Sequence, residues 1–247
     1  MGPSVFVHGP NALIDTPEEI KLQLDRSSVS RIDACFYSHW HPDHVMGRRV
    51  WETNRDWRGW PPRHRCTDIY LPARVAADFK ERLGTWEHLA FFERRGLVRL
   101  IEVPAGDSVE LNGVLVTPVG LSEPYAFAFL LQQGDKRLFI APDELLGWDP
   151  PREVQGLDLA VVPMGVLEFD PFTGERRINE NHRVLKSEAT FRQTLKIVER
   201  LRAKRVIMTH IEEPDQLSYS DLERLGQRLR AEGQCIAFAH DTLVVDV

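Results

Sequence analysis

Ser38-His39-Trp40-His41-Pro42-Asp43-His44 is the stretch on which the reading of this chain turns. It follows directly on residues 31–37, a mostly apolar run of strand length, and places three of the nine histidines and a carboxylate within six positions. A buried strand that ends this abruptly delivers polar side chains to its C-terminal edge. Alternate residues of an extended segment share a face, so His39 and His41 converge on one cation. A turn after Pro42 aims Asp43 and His44 at a second. Neutral imidazole and carboxylate suit zinc, and also manganese or iron, at a site with open positions for water. A hydrated histidine-rich turn is the plain alternative. It explains a lone histidine better than this density behind a buried strand.

Upstream, residues 4–7 and 12–15 read as short strands joined by the Gly9-Pro10-Asn11 turn. A helix opens next, with Thr16 as N-cap, Pro17 at the first helical position and Glu19 completing a capping box. Downstream, residues 48–65 read as a loop carrying Arg48, Arg49, Arg55, Arg58, Arg63 and Arg65 against Glu52 and Asp56, a balance of 6 − 2 = +4. Trp51, Trp57 and Trp60 alternate with these charges. Arginine beside aromatic rings suits an anionic, base-bearing or aromatic substrate. The simpler reading has the tryptophans packing the loop against the body while the arginines stay wet.

Beyond the loop the pattern runs strand (69–71), helix (73–83) and strand (98–103), then hairpins marked by Asn112-Gly113 and Gly134-Asp135. Asp143 follows the strand at 137–140 directly. A strand at 157–163 leads into a long loop, and a helix over 187–204 precedes a strand at 205–208 that ends in Thr209-His210. Ser220 and Glu223 predict a second capping box, and residues 236–247 read as strand-rich. No repeat or linker interrupts the chain, which predicts a single domain over 1–247.

The 247 residues are 43% hydrophobic and 28% charged, the composition of a folded globular chain rather than a disordered or fibrous one. Lysine and arginine number 31 against 37 acidic residues, a formal charge of −6. This argues against a surface given over to nucleic acid while leaving room for a local basic patch. Three widely spaced cysteines support neither a disulfide framework nor a cysteine zinc site, and fit a reducing compartment. With no apolar run of membrane length and no signal-peptide pattern near the start, the expectation is a cytoplasmic protein without a membrane partner.

His39-x-His41-x-Asp43-His44 also matches the HxHxDH signature of the metallo-β-lactamase-fold hydrolases, which the chain resembles over most of its length. Residues 12–15 resemble the strand-end aspartate that precedes the signature. Residues 138–143 look like the strand carrying the metal-bridging aspartate, and residues 206–210 like the strand ending in the last metal histidine. The resemblance implies an α/β fold, a four-layer αββα sandwich with the metal site at strand ends. Order and spacing most resemble the branch of PhnP-type phosphodiesterases and tRNase Z. That branch often places a phosphate-contacting histidine in the loop before the long helix, and His182 occupies the matching place.

The resemblance assigns His39 and His41 to a first ion, His44, His210 and Asp43 to a second, and Asp143 to a bridge between them. The family usually supplies a third histidine to the first ion from the segment 116–125. This chain has none there, and Glu123 holds the place. Glu123 would make an oxygen-rich first position for one of two divalent ions, zinc or manganese, with iron also compatible; if Glu123 does not ligate, a single ion remains. The function implied is hydrolysis of a small phosphodiester, such as a cyclic phosphate or nucleotide derivative, by a metal-bound hydroxide that Asp43 orients. His182 would bind the phosphate or protonate the departing oxygen. A lactone or thioester hydrolase of the same fold and a non-catalytic metal-binding relative are the alternatives. A small anionic substrate is the expected partner. Nucleic acid is disfavoured for want of a gripping arm, and a dimer is compatible with exposed tryptophans in the 48–65 loop.

Overall fold

The computed structural model describes residues 2–247. Contacts divide the chain into two compact units, the first running up to Pro118 and including Pro124–Phe127, the second comprising Val119–Glu123 and Ala128–Val247.

In the first unit, β1 (Val5–Val7), β2 (Ala12–Ile14), β3 (Ala34–Phe36), β4 (Thr67–Pro72) and β5 (Val98–Val103) lie side by side in chain order. β1 pairs antiparallel with β2, and every later pairing is parallel. Parallel neighbours require crossovers. These are supplied by α1 (Ile20–Ser27) between β2 and β3, and by α3 (Ala73–Glu81) with α4 (Thr85–Arg94) between β4 and β5. Strands covered on both faces read as apolar runs, and β2 and β3 are buried at every residue. Leu13, Ile69, Leu71, Val75, Phe79, Leu89 and Phe92 form the unit's core. Between β3 and β4 come the one-turn α2 (Pro42–Val45) and a 3₁₀ helix over Met46–Asn54. β6 (Val109–Leu111) and β7 (Val114–Gly120) form a hairpin whose Asn112 and Gly113 both have positive φ, as a type I′ turn demands.

In the second unit, β8 (Phe127–Gln133) and β9 (Lys136–Ile140) pair antiparallel, and β10 (Leu159–Pro163), β11 (Arg205–Thr209) and β12 (Ile236–Phe238) continue from β9 in parallel. α5 (Phe191–Leu201) crosses from β10 to β11 and α6 (Tyr219–Ala231) from β11 to β12. Phe191, Ile197, Leu201, Leu225 and Leu229 from these helices pack with Phe139, Val162 and Met208 from the sheet. Trp148 stacks on Phe139 with ring centres 5.5 Å apart. Two sheets with parallel crossovers realise the α/β class expected from the sequence. Among the described residues no helix is long and apolar enough to cross a membrane.

Several local expectations shift for physical reasons. Thr16 does not cap α1: its hydroxyl shares a 2.8 Å hydrogen bond with Tyr37 and its N–H donates to the His44 carbonyl, so Glu19 takes the N-cap position without a side-chain bond. The capping box of α6 is Ser218 with Asp221, one turn-register earlier than Ser220 and Glu223. α5 starts later than expected, capped by Thr190 with Gln193. The 48–65 stretch is helical in its first part, where Trp51 is 1% exposed and donates to the Tyr37 hydroxyl. Its second part stays irregular, with Trp57 73% and Trp60 92% exposed, so packing accounts for one of these three tryptophans and not for the other two. After β12 the last nine residues form no strand.

Gly47 marks where the 3₁₀ helix is pressed onto the segment after β2. Its N–H donates to the Thr16 carbonyl at 2.9 Å, and a Cβ there would lie 1.9 Å from the Pro17 carbonyl oxygen. Backbone on both sides leaves no cheap relaxation. Gly47→Ala is expected to cost about 3 kcal/mol, read in a thermal melt as a drop of about 6–12 °C. Gly59→Ala, where an added Cβ meets nothing within 4 Å, should leave the melt unchanged.

Candidate metal centre

The first unit holds four of the expected ligands on the turn between β3 and α2. His39 and His44 are 1% and 0% exposed, His41 is half-buried, and the Asp43 side chain is half exposed. The imidazole pairs His39–His41 and His39–His44 have ring centres 4.5 and 4.2 Å apart. Their orientation follows from Asp15, which ends β2 with a left-handed backbone at φ 59° and no exposure. One Asp15 carboxylate oxygen accepts from the Ser38 N–H at 2.7 Å. The other accepts from the Ser38 hydroxyl at 2.5 Å and contacts His44 Nδ1 at 2.8 Å. Ser38 Oγ in turn lies 2.9 Å from His39 Nδ1. Both Nδ1 atoms are thereby engaged, and Nε2 of His44 lies 3.2 Å from an Asp43 oxygen. Anchoring one ring nitrogen by a carboxylate or hydroxyl is what metal histidines require. Asp15, His39 and His44 could by distance hold an ion among themselves. With both its oxygens already committed to Ser38 and His44, Asp15 serves instead to hold the rings. The donor chemistry fits a divalent transition ion.

Burial pulls the His44 pKa down, but its hydrogen bonds to Asp15 and Asp43 outweigh this and push it up to about 9. Cys35, fully buried beside this turn, has its thiol pushed well up by burial and by the Asp15 charge, which makes it an inert core residue.

The second unit holds two further expected ligands, Asp143 and His210, just beyond the ends of β9 and β11. His210 Nε2 lies 3.7 Å from an Asp143 oxygen and its Nδ1 lies 3.1 Å from Glu212. His210 and Glu144 both take left-handed backbone, φ 50° and 63°, conformations that such residues hold only when the surroundings impose them. Glu144 is 4% exposed. It escaped the sequence reading, although a second acid directly behind Asp143 at a strand end is a visible signal. Glu188, just before α5, was missed as well. Burial, followed by the Asp143 and Glu144 charges, raises its carboxyl to about 7.

Glu123 lies half-buried in the turn between β7 and β8. His182 is exposed at the start of a 3₁₀ turn, its Nδ1 accepting from the Val184 N–H at 3.2 Å. Arg183 and Lys186 sit in that same turn. His64 Nδ1 accepts from the Asp56 N–H within the tryptophan loop, and His240 packs edgewise on Tyr219. All three cysteines are free thiols, as the spacing predicted.

Two outcomes follow from the Asp15 anchor. Asp15→Asn keeps the volume but puts a donor where acceptors are needed, so affinity for zinc should fall about 10–100-fold, measured by competition with a chromogenic chelator. In the chelated protein the folded His44 pKa of about 9 exceeds the ordinary value near 6.5. Stability contributed by this pair is therefore complete below about pH 6.5 and is lost as pH rises through about 9. Urea midpoints across that range should decline in the chelated wild type and stay flatter in Asp15→Asn.

A family model described as the beta-lactamase superfamily domain matches residues 10–211. No curated protein matches the chain significantly. Among solved structures, a diphosphatase of the PhnP family shares 22% identity with a TM-score of 0.66, over 96% of this chain and 79% of that one. Zinc-bound PqqB from Methylobacterium extorquens shares 16% with a TM-score of 0.65, over 99% and 86%. Human tRNase Z, short form, shares 16% with a TM-score of 0.64, over 98% and 90%. With the HxHxDH turn at the end of β3 and the family model spanning both units, this chain belongs to the β-lactamase superfamily and has the metallo-β-lactamase fold.

Proposed function

We propose that the protein is a metal-dependent hydrolase of a small phosphodiester, such as a cyclic phosphate or nucleotide derivative. The observation that carries this reading is the pair of imidazoles whose Nδ1 atoms are held by Ser38 and Asp15. That arrangement satisfies the buried Asp15 carboxylate and at the same time orients the rings as nitrogen ligands require. His39 and His41 would hold a first ion, His44 and His210 a second with Asp43, and Asp143 would bridge; Glu123 is the candidate oxygen ligand to the first. Zinc or manganese fits these donors, and iron is compatible. Bound there, the ions supply water of lowered pKa and polarise a phosphoryl oxygen.

The chain's own residues do the rest. Asp43, half exposed at the start of α2, is placed to accept a proton and orient a nucleophilic water. Ser38 and Asp15 keep the histidines from turning. His182, with Arg183 and Lys186 beside it on the same exposed turn, supplies a cationic contact for a phosphate and a proton for the departing oxygen. The likeness to a diphosphatase supports phosphate over a carbonyl substrate.

A screen of zinc- and manganese-loaded protein against chromogenic phosphodiesters, phosphomonoesters, lactones and thioesters tests the substrate class. Phosphodiester turnover is expected, with kcat lowered at least 100-fold in Asp43→Ala and KM raised in His182→Ala. Turnover of a lactone or thioester alone would overturn the phosphodiester reading.

A further inference from the structure

The segment in which the resemblance expects a third histidine for the first ion is built differently here. Beside the ligand turn stands the aromatic ring of Tyr125. The Phe127 N–H donates to the Ser38 carbonyl at 3.0 Å, which ties the Pro124–Phe127 stretch to the residue preceding His39. This places the Tyr125 ring centre 5.5 Å from that of His41 and 6.3 Å from that of His39. Trp40 closes the far side, 4.6 Å from His41 and 6.3 Å from Tyr125, with the Arg82 guanidinium 4.4 Å over its face.

These spacings can be compared with those of a shared ion. An imidazole bound through nitrogen at about 2.0–2.1 Å has its ring centre about 3 Å from the ion, and a phenolate bound through oxygen at about 2 Å has its centre about 4–5 Å away. At a tetrahedral angle two such centres lie about 6 Å apart, and two imidazole centres about 5 Å. The observed 5.5 and 6.3 Å for Tyr125, and 4.5 Å for His39 with His41, fall close to both figures.

We propose that Tyr125 joins His39 and His41 as a ligand of the first ion, its phenolate oxygen standing where the family places a third imidazole. The inference rests on the metal-site reading above and changes it at one donor, putting Tyr125 where that reading has Glu123. On binding, the oxygen–metal bond forms as the phenol passes its proton to solvent, and no oxidation state changes. A phenolate is a hard, anionic donor, so it shifts the first position towards iron and manganese and away from zinc.

Phenolate bound to ferric iron gives a visible charge-transfer band that imidazole and carboxylate do not. Chelated protein would be titrated with ferric nitrilotriacetate, with iron content per chain and the visible spectrum recorded. Wild type should develop the band, and Glu123→Gln should keep it. Tyr125→Phe should lose both the band and one bound ion, whereas Tyr125→His should keep the ion without the band. Iron bound by wild type with no band, or a band surviving in Tyr125→Phe, would overturn the proposal. Wild type that bound no ion of any kind would instead overturn the metal-site reading itself.

Discussion

The histidine turn of the first unit depends on one carboxylate that touches no solvent. Asp15 is buried, sits in a left-handed backbone conformation and accepts from the Ser38 N–H, the Ser38 hydroxyl and His44. A buried carboxylate is tolerated only when its oxygens are occupied. Here the occupants are the residues that flank and follow the histidine turn, so satisfying the charge and fixing the ligands are a single requirement. The neighbouring Thr16 extends this clamp through its carbonyl to Gly47, through its N–H to His44 and through its hydroxyl to Tyr37. Trp51 then donates to the same Tyr37 hydroxyl.

The second unit solves the equivalent problem with crowding rather than with a clamp. Asp143, Glu144, Glu188, His210 and Glu212 bring four carboxylates towards one imidazole. Burial first, and then the charges of Asp143 and Glu144, raise the Glu188 carboxyl. A cation is the natural relief. Both parallel runs of strands therefore end in groups suited to hold positive charge, in keeping with the tendency of parallel sheets to bind ligands at the carboxyl ends of their strands.

The α/β class, the strand-to-turn delivery of residues 38–44 and the strand ends at Asp143 and His210 were legible because they depend on local patterns: apolar runs, abrupt polarity and residue spacing. What escaped was tertiary. Thr16, an ideal cap by sequence, is taken by Tyr37 and His44, partners more than twenty positions away. The register of the α6 cap was ambiguous because Ser218 and Ser220 lie two residues apart with acids three positions beyond each. Glu123 holds the place of the absent third histidine by its position in the chain. Tyr125, two residues on, reads as an ordinary aromatic until the Phe127 to Ser38 bond shows where its ring stands. Glu144 and Glu188 needed burial to be noticed, and spacing alone carries no burial.

The clamp around Asp15 has a further consequence, for the order in which the molecule is made. Its hydrogen bonds join residues 21 to 31 positions apart, and the last residue to join, Gly47, closes on Thr16. Loop-closure entropy grows only slowly with length, each doubling adding about 0.6 kcal/mol. A chain emerging from the ribosome carries every partner of Asp15 and Thr16 in this clamp once Gly47 is out. The histidines of the first unit thereby have these neighbours available long before β9 and β11 are synthesised, so the turn need not wait for the second unit to be oriented.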